Sequence, residues 1–252
     1  MKNHIEPLSL FKQTNFSNTI WWKLKINISG YQNETEKNLV TEVLKNRIFR
    51  IVYPNCFQSH KNWSRILVQF FEDGYICWID LDKLIIEKFY LKENSITASN
   101  NFLIKEKIPL ILNWIKDQSK LKNKYLWGGT LGPNFDCSGL IQTAFLIHKI
   151  YIPRDSYQIK NFCKHLFNFT ENKYSLETGD ILFFGNQKKC NHVGIYLGDG
   201  QYYHSSGNDY GRNGIGIDTL RQTDDTISLY YQSKLISAGR VVRSYRWDRT
   251  IR

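Results

Sequence analysis

One cysteine, Cys137, stands between Asp136 and Ser138 in the stretch YLWGGTLGPNFDCSGLIQTAF, residues 125–145, after a glycine-rich run and before an apolar helical pattern. Asp136 is a good N-cap, so the spacing predicts a helix that starts at Cys137, with its first N–H groups directed at the preceding loop. A helix N-terminus lowers a thiol's pKa, the thiolate is the reactive species, and the same N–H groups can receive an oxyanion. Gly128, Gly129, Gly132 and Gly139 keep side chains off the approach. Taken alone, Cys137 is explained at least as well by a small buried core residue.

A nearby base changes that balance. His192 opens HVGIYL and His204 ends QYYH. If these strands form a hairpin with a three-residue loop, Gly198-Asp199-Gly200, then Leu197 pairs with Gln201, Gly194 lies opposite His204, and His192 lies opposite Ser206. The two imidazoles are then diagonal neighbours on one sheet face, roughly 7–8 Å apart at the backbone. A two-residue loop would put them on opposite faces. The chemistry implied is a Cys/His pair in which His192 takes the Cys137 proton and His204 holds the tautomer of His192. For either histidine alone, a hydrogen-bonded strand residue is the more economical explanation. The joint pattern is much harder to obtain by chance.

The elements that must position these groups fall into two regions. Residues 20–90 read as short strands: Ile48–Tyr53, then Ile66–Phe71 and Tyr75–Ile79 separated by Glu72-Asp73-Gly74. Several short strands in so few residues suggest a small barrel, and KENSITASNN, residues 92–101, has linker composition. The expected division is a β-barrel domain over 1–91, a linker over 92–104 and a second domain over 105–252. In the second domain Ile104, Ile108, Ile111, Leu112 and Ile115 recur at helical spacing, with Pro109 expected near the helix start. The helix at Cys137 follows, with Leu140, Ile141, Ala144, Phe145 and His148 on one face. Then LETGDILFFG, NHVGIYLGDG, QYYHSSG and a last run GRVVRSYR read as strands, an α+β pattern.

The chain has 252 residues, 42% of them hydrophobic and 15% aromatic, well outside the disordered class. Its apolar runs are far too short to span a bilayer, so no membrane association is expected. The N-terminus lacks a continuous apolar segment and a small-residue cleavage site, so a cytoplasmic location is expected. Five cysteines, an odd number spread along the chain, argue against a disulfide framework. The formal charge of +11 is scattered and has no basic stripe interleaved with aromatics, so no nucleic-acid partner is expected. Cys163-Lys-His165 and Cys190-Asn-His192 share a C-x-H spacing, but neither completes a tetrahedral zinc set. No metal or cofactor is expected.

The blocks Tyr125-Leu-Trp127-Gly-Gly, Asp136-Cys137-Ser138-Gly139-Leu140, Gly179-Asp180-Ile-Leu-Phe-Phe-Gly, His192-Val-Gly-Ile-Tyr-Leu-Gly and His204-Ser205-Ser-Gly, in this order, resemble the NlpC-type cell-wall cysteine peptidases. The resemblance covers about residues 105–243. It is closest to a cyanobacterial type with an N-terminal bacterial SH3-like domain, which residues 20–90 match more loosely. It implies a papain-like fold and cleavage of the γ-D-Glu–diaminopimelate bond in peptidoglycan peptides. It implies Cys137 as nucleophile, His192 as base, His204 as third polar member, and Tyr125 over the nucleophile as an oxyanion donor; packing under the glycines explains Tyr125 equally well. Asp136, Ser138, Trp127 and Ser205 would line the substrate site, and Arg154 would pair a substrate carboxylate unless it serves a structural ion pair. Asp73 and Tyr75 are candidates for holding the ammonium of a free N-terminal L-alanine. The partner implied is a soluble tri- or tetrapeptide muropeptide, recovered into the cytoplasm and cut by a monomer. A Cys/His amidase or acyltransferase on the same scaffold, or a wall-fragment binding module without catalysis, remain the alternatives.

Overall fold

The computed structural model describes residues 20–52, 64–90, 101–168, 176–186 and 188–245. Its internal contacts divide the chain into two units, the first running to Thr97 and the second from Ala98 to Arg246. Helix α1, Asn101–Ser119, takes in the last residues of the expected linker.

The first unit holds β1 (Trp21–Leu24), β2 (Ile28–Tyr31), β3 (Leu39–Val43), β4 (Ile48–Ile51), β5 (Arg65–Phe70), β6 (Ile76–Asp80) and β7 (Ile86–Phe89). They form one antiparallel sheet in the order β3-β2-β6-β5-β4-β1-β7. The expected barrel closure is not made among the described residues, because edge strands β3 and β7 pair with one neighbour each. The sheet nonetheless serves a single core, in which Trp22, Leu24, Val43, Phe49, Val68, Phe70 and Ile79 meet. The turn 72–74 falls where its composition places it, with Gly74 at φ 69°.

The second unit adds α2 (Cys137–Leu146), α3 (Ser156–Phe162), β8 (Lys164–Asn168), β9 (Ile181–Asn186), β10 (Lys189–Gly198), β11 (Gln201–Ser206), β12 (Gly214–Thr219), α4 (Thr226–Lys234) and β13 (Leu235–Arg240). The unit is α+β, with a six-stranded sheet in the order β12-β11-β10-β9-β13-β8. The last strand is therefore LISAGR, earlier than the expected GRVVRSYR. Strand alternation divides β9 cleanly. Ile181 and Phe183 join the large core under α1 and α2, whereas Leu182 and Phe184 join a smaller cluster with Tyr202 and Tyr231 of α4. In α1 the helical spacing holds, since Ile104, Ile111 and Ile115 are buried. Pro109, however, is inside the helix rather than near its start, so the helix forgoes one backbone donor there.

The β10–β11 hairpin departs from expectation in a compensated way. Gly198 pairs with Gln201, leaving a two-residue turn, Asp199-Gly200, with both φ values positive at 53° and 80°. A register shift between Tyr196 and Gly198 restores the expected register, Tyr196 opposite Tyr202 and Ile195 opposite Tyr203. The bulge therefore undoes the face reversal that a two-residue turn alone would impose.

Close approach of α2 to the preceding loop requires a glycine at 139. A Cβ there would lie 2.1 Å from the Gly129 carbonyl oxygen. Gly139→Ala is expected to lose about 1–3 kcal/mol of stability through forced backbone displacement. Urea unfolding measures it, and a variant as stable as wild type would show that this contact is not tight.

Candidate active site

The site begins where α2 begins. Asp136 caps the helix by accepting from Gly139 N at 2.6 Å, and its other oxygen accepts from Gly128 N at 2.8 Å. Arg154, only 2% exposed, closes a buried ion pair with Asp136 at 2.5 Å and also donates to the Ser138 hydroxyl at 2.9 Å. Four sets of donors thus hold one carboxylate, which sets the entry of the chain into α2. Breaking such a pair from one side would strand a buried charge.

Cys137 is 6% exposed. The Val193 and Ser138 N–H groups donate toward its sulfur, placing it beside the residue that follows His192. Burial first, then the Asp136 carboxylate, push the thiol up to about 12 against those N–H groups and Arg154. The helix-terminus argument for an ionised sulfur therefore loses, in the free protein, to desolvation. Tyr125 lies close enough to be influenced by Cys137 and Asp136, and burial followed by these neighbours keeps its phenol protonated. It is a hydrogen-bond donor at the site.

The base side is a chain of hydrogen bonds. His192 Nε2 and His204 Nδ1 are 2.7 Å apart, and His204 Nε2 lies 2.5 Å from Asp218 Oδ2. Asp218 on β12 also accepts from the Arg212 guanidinium and, at 3.0 Å, from Ser228 Oγ of α4. Burial would raise the Asp218 carboxyl, but the His204 and Arg212 hydrogen bonds prevail and hold it below its ordinary value. Burial lowers His204 despite Asp218, and burial followed by His204 lowers His192 well below the ordinary range. Both rings are therefore neutral. An ionised carboxylate only accepts, so His204 carries its proton on Nε2 and accepts at Nδ1. His192 must then carry its own proton on Nε2, which leaves Nδ1 as a lone pair able to take the thiol proton.

The structure thus brings together Cys137, His192, His204 and Tyr125, with Asp136 and Ser138 at the helix start. It also assigns places to the other candidates. Trp127 is 69% exposed on the surface. The Ser205 hydroxyl is buried and donates to the Phe135 carbonyl at 2.6 Å, fastening β11 to the loop before Cys137 rather than facing a ligand. Arg154 is engaged by Asp136 and the Ser138 hydroxyl, which makes the structural ion pair that the sequence left open. Asp73 pairs with Arg47 at 2.7 Å and accepts from Tyr75 N at 3.0 Å, within the first unit. Cys163 and Cys190 pack in the second unit's core. Asp218, Arg212 and Tyr231 were not evident from the sequence. The Tyr231 ring lies 4.7 Å from that of His192 and 4.6 Å from that of His204, walling the pair. A cavity of ≈ 390 Å³ opens beside them, lined by Tyr125, His192 and Tyr231 among others.

Residues 122–240, which contain Tyr125, Cys137, His192, His204 and Asp218, match the model of the NlpC/P60 family. The likeness to the family lies in this segment, just under half of the chain. The chain is similar to the γ-D-glutamyl-L-lysine dipeptidyl-peptidase of Bacillus cereus, 40% identical over 85 residues, which is 32% of this chain and 24% of that protein. The bifunctional muramidase/DL-endopeptidase CwlT of Bacillus subtilis is 34% identical over 121 residues, 46% of this chain and 32% of that protein. The chain therefore matches a third or less of the length of these two curated relatives. An NlpC/P60 family protein from Bacillus cereus of known structure aligns with 93% of this chain and 66% of its own, at 23% identity and a TM-score of 0.44.

A thiol held near 12 in a site whose imidazoles are neutral has a distinct reactivity. Iodoacetamide alkylation of Cys137 in the free protein is expected to accelerate about tenfold per pH unit between about pH 7 and 10, without levelling off. A plateau beginning below about pH 8 would reveal a preformed thiolate–imidazolium pair instead.

Proposed function

We propose that the NlpC/P60 segment is a cysteine peptidase that hydrolyses the γ-D-Glu–diaminopimelate bond of peptidoglycan-derived peptides bearing a free N-terminal L-alanine. The observation that carries the reading is the relay from Asp218 through His204 to His192, which leaves a lone pair on an imidazole whose next residue, Val193, turns its N–H to the helix-terminal thiol. The names of the relatives, a γ-D-glutamyl-L-lysine dipeptidyl-peptidase and a DL-endopeptidase, support the substrate class. A formal charge of +11 favours encounter with polycarboxylate peptides. Muropeptides released by wall turnover and acted on in the cytoplasm are the proposed source, and the first unit is the proposed SH3-like part.

His192 Nδ1 removes the Cys137 proton as the sulfur attacks the γ-carbonyl carbon of D-glutamate. The resulting oxyanion is placed to receive the N–H groups that open α2 and the protonated Tyr125 hydroxyl. Collapse transfers the proton from His192 to the departing amine of the diamino acid, leaving a thioester on Cys137. Water, deprotonated by the same imidazole, attacks the thioester and releases L-Ala-D-Glu. The imidazolium formed in each half-reaction is stabilised by the His204–Asp218 pair.

Mass spectrometry of L-Ala-γ-D-Glu-meso-diaminopimelate with wild type and Cys137→Ala tests the reading. Free diaminopimelate is expected from the wild type, with a loss of at least about 10³-fold in the variant. Cleavage persisting in Cys137→Ala would exclude this nucleophile. Transfer of the dipeptidyl group to an added amine in preference to water would favour an acyltransferase. An N-acetylated substrate turned over equally well would remove the free-amine requirement.

Asp218→Asn tests the relay. An asparagine amide can donate to His204 Nε2, which moves the His204 proton to Nδ1 and forces the His192 proton onto the nitrogen that must accept from sulfur. The expected loss in kcat is about 10²-fold or more with KM little changed, and retention of wild-type kcat in a folded variant would show that Asp218 does not set the tautomer.

A further inference from the structure

The cavity beside the histidines has a chemistry that the reaction centre does not use. It shares Tyr125 and His192 with the thiol site, whereas Asp136, Ser138 and Arg154 contribute nothing to its lining. In the proposed reaction His192 protonates the departing amine, so a cavity bordered by His192 lies on the leaving-group side. Among the described residues, its charged lining is one cation, Lys234 at the C-terminal end of α4, and one anion, Asp209 on the β11–β12 loop. Among the described residues neither has an ion-pair partner. Tyr210 stacks on Tyr230 with ring centroids 4.8 Å apart, joining the loop that carries Asp209 to the helix that carries Lys234. Lys234 Nζ lies 5.7 Å from the Tyr230 ring centroid, close to this wall. Asn186 and Asn191 add amide donors and acceptors.

A cation and an anion lining one cavity match a ligand end that carries both charges. A side chain ending in an ammonium alone would be attracted by Asp209 and repelled by Lys234, which is how a site discriminates between otherwise similar ligands. Resting on the peptidase reading above, we propose that this cavity is the leaving-group subsite and that it selects a diamino acid whose side chain ends in both an ammonium and a carboxylate. Lys234 takes the distal carboxylate and Asp209 the distal ammonium. The subsite accordingly favours diaminopimelate over lysine as the released residue.

The test compares kcat/KM for L-Ala-γ-D-Glu-meso-diaminopimelate and L-Ala-γ-D-Glu-L-Lys in wild type and Lys234→Met. The wild type is expected to prefer the diaminopimelate peptide by about tenfold or more, and Lys234→Met to reduce that ratio by about tenfold. Equal losses on both peptides would overturn the proposal, because Lys234 would then read a group that the two share, such as the α-carboxylate. A second arm needs no turnover: Cys137→Ala, with and without Lys234→Met, is titrated calorimetrically with free meso-diaminopimelate and L-lysine. Tighter binding of diaminopimelate that is lost with Lys234→Met supports the subsite, and equal affinities overturn it. A wild type that cleaves neither peptide yet binds diaminopimelate selectively would overturn the peptidase reading and leave the subsite standing.

Discussion

The arrangement depends on one buried carboxylate that can only accept. Burying Asp218 is costly unless its oxygens are filled with donors, and the chain supplies His204, Arg212 and Ser228. With that demand met, the proton positions along both imidazoles follow without further choice. The donors come from separate parts of the fold. His204 is on β11, Ser228 is in α4, and Arg212 comes from the intervening loop and is itself anchored by Asp225, which caps α4. The packing of α4 on the sheet is thus an electrostatic requirement of the proposed base as well as a cover for Phe184 and Tyr202.

Burial acts on both partners of the proposed nucleophile–base pair in the direction of neutrality. It raises the thiol and lowers the imidazole, so charge separation in the empty site is disfavoured twice. Proton transfer is then best coupled to attack on the carbonyl, when the negative charge leaves sulfur for an oxygen facing hydrogen-bond donors. The two phenols near the thiol, Tyr125 and Tyr231, are held protonated by burial first and then by their neighbours, Cys137 foremost among them. They offer donors and no competing charge.

Much of this was legible in the sequence because its signals are local. Asp136 before Cys137 announced a helix start and the isoleucine spacing announced α1, whereas the shared face of the histidines was expected from a three-residue loop and is reached through a two-residue turn and a bulge. The boundaries erred where competing physics was hidden. Pro109 lies within α1 because the helix extends back to Asn101, through residues whose composition reads as linker. For Arg154 the sequence left a ligand contact and a structural ion pair open, because its partner, Asp136, is 18 residues away in the chain. Asp218 and Tyr231 gave no sequence signal at all, since an aspartate in GIGIDT and a tyrosine in a helix of low apolar periodicity are ordinary in isolation. Only the register of β11 with β12, which sets Tyr202 opposite Asp218 and His204 opposite Gly216, brings the carboxylate to the second ring.

The hairpin shows how narrowly the site is specified. A tight turn with two left-handed residues, Asp199 and Gly200, suits the right-handed twist of its strands, yet by itself it would turn His192 and His204 to opposite faces. One bulged residue, at 197, restores the register. The same strands continue to serve the core, with Val193, Ile195 and Tyr203 directed to the helices. The β10–β11 ladder runs from Gly198/Gln201 to Ile195/Tyr203, and beyond it the Val193 N–H turns to the Cys137 sulfur while Ser205 holds the Phe135 carbonyl. The start of α2 is therefore seated at the end of the paired hairpin. The strand alternation that buries apolar side chains on one face delivers the imidazoles on the other, and the end of the ladder brings the thiol to them.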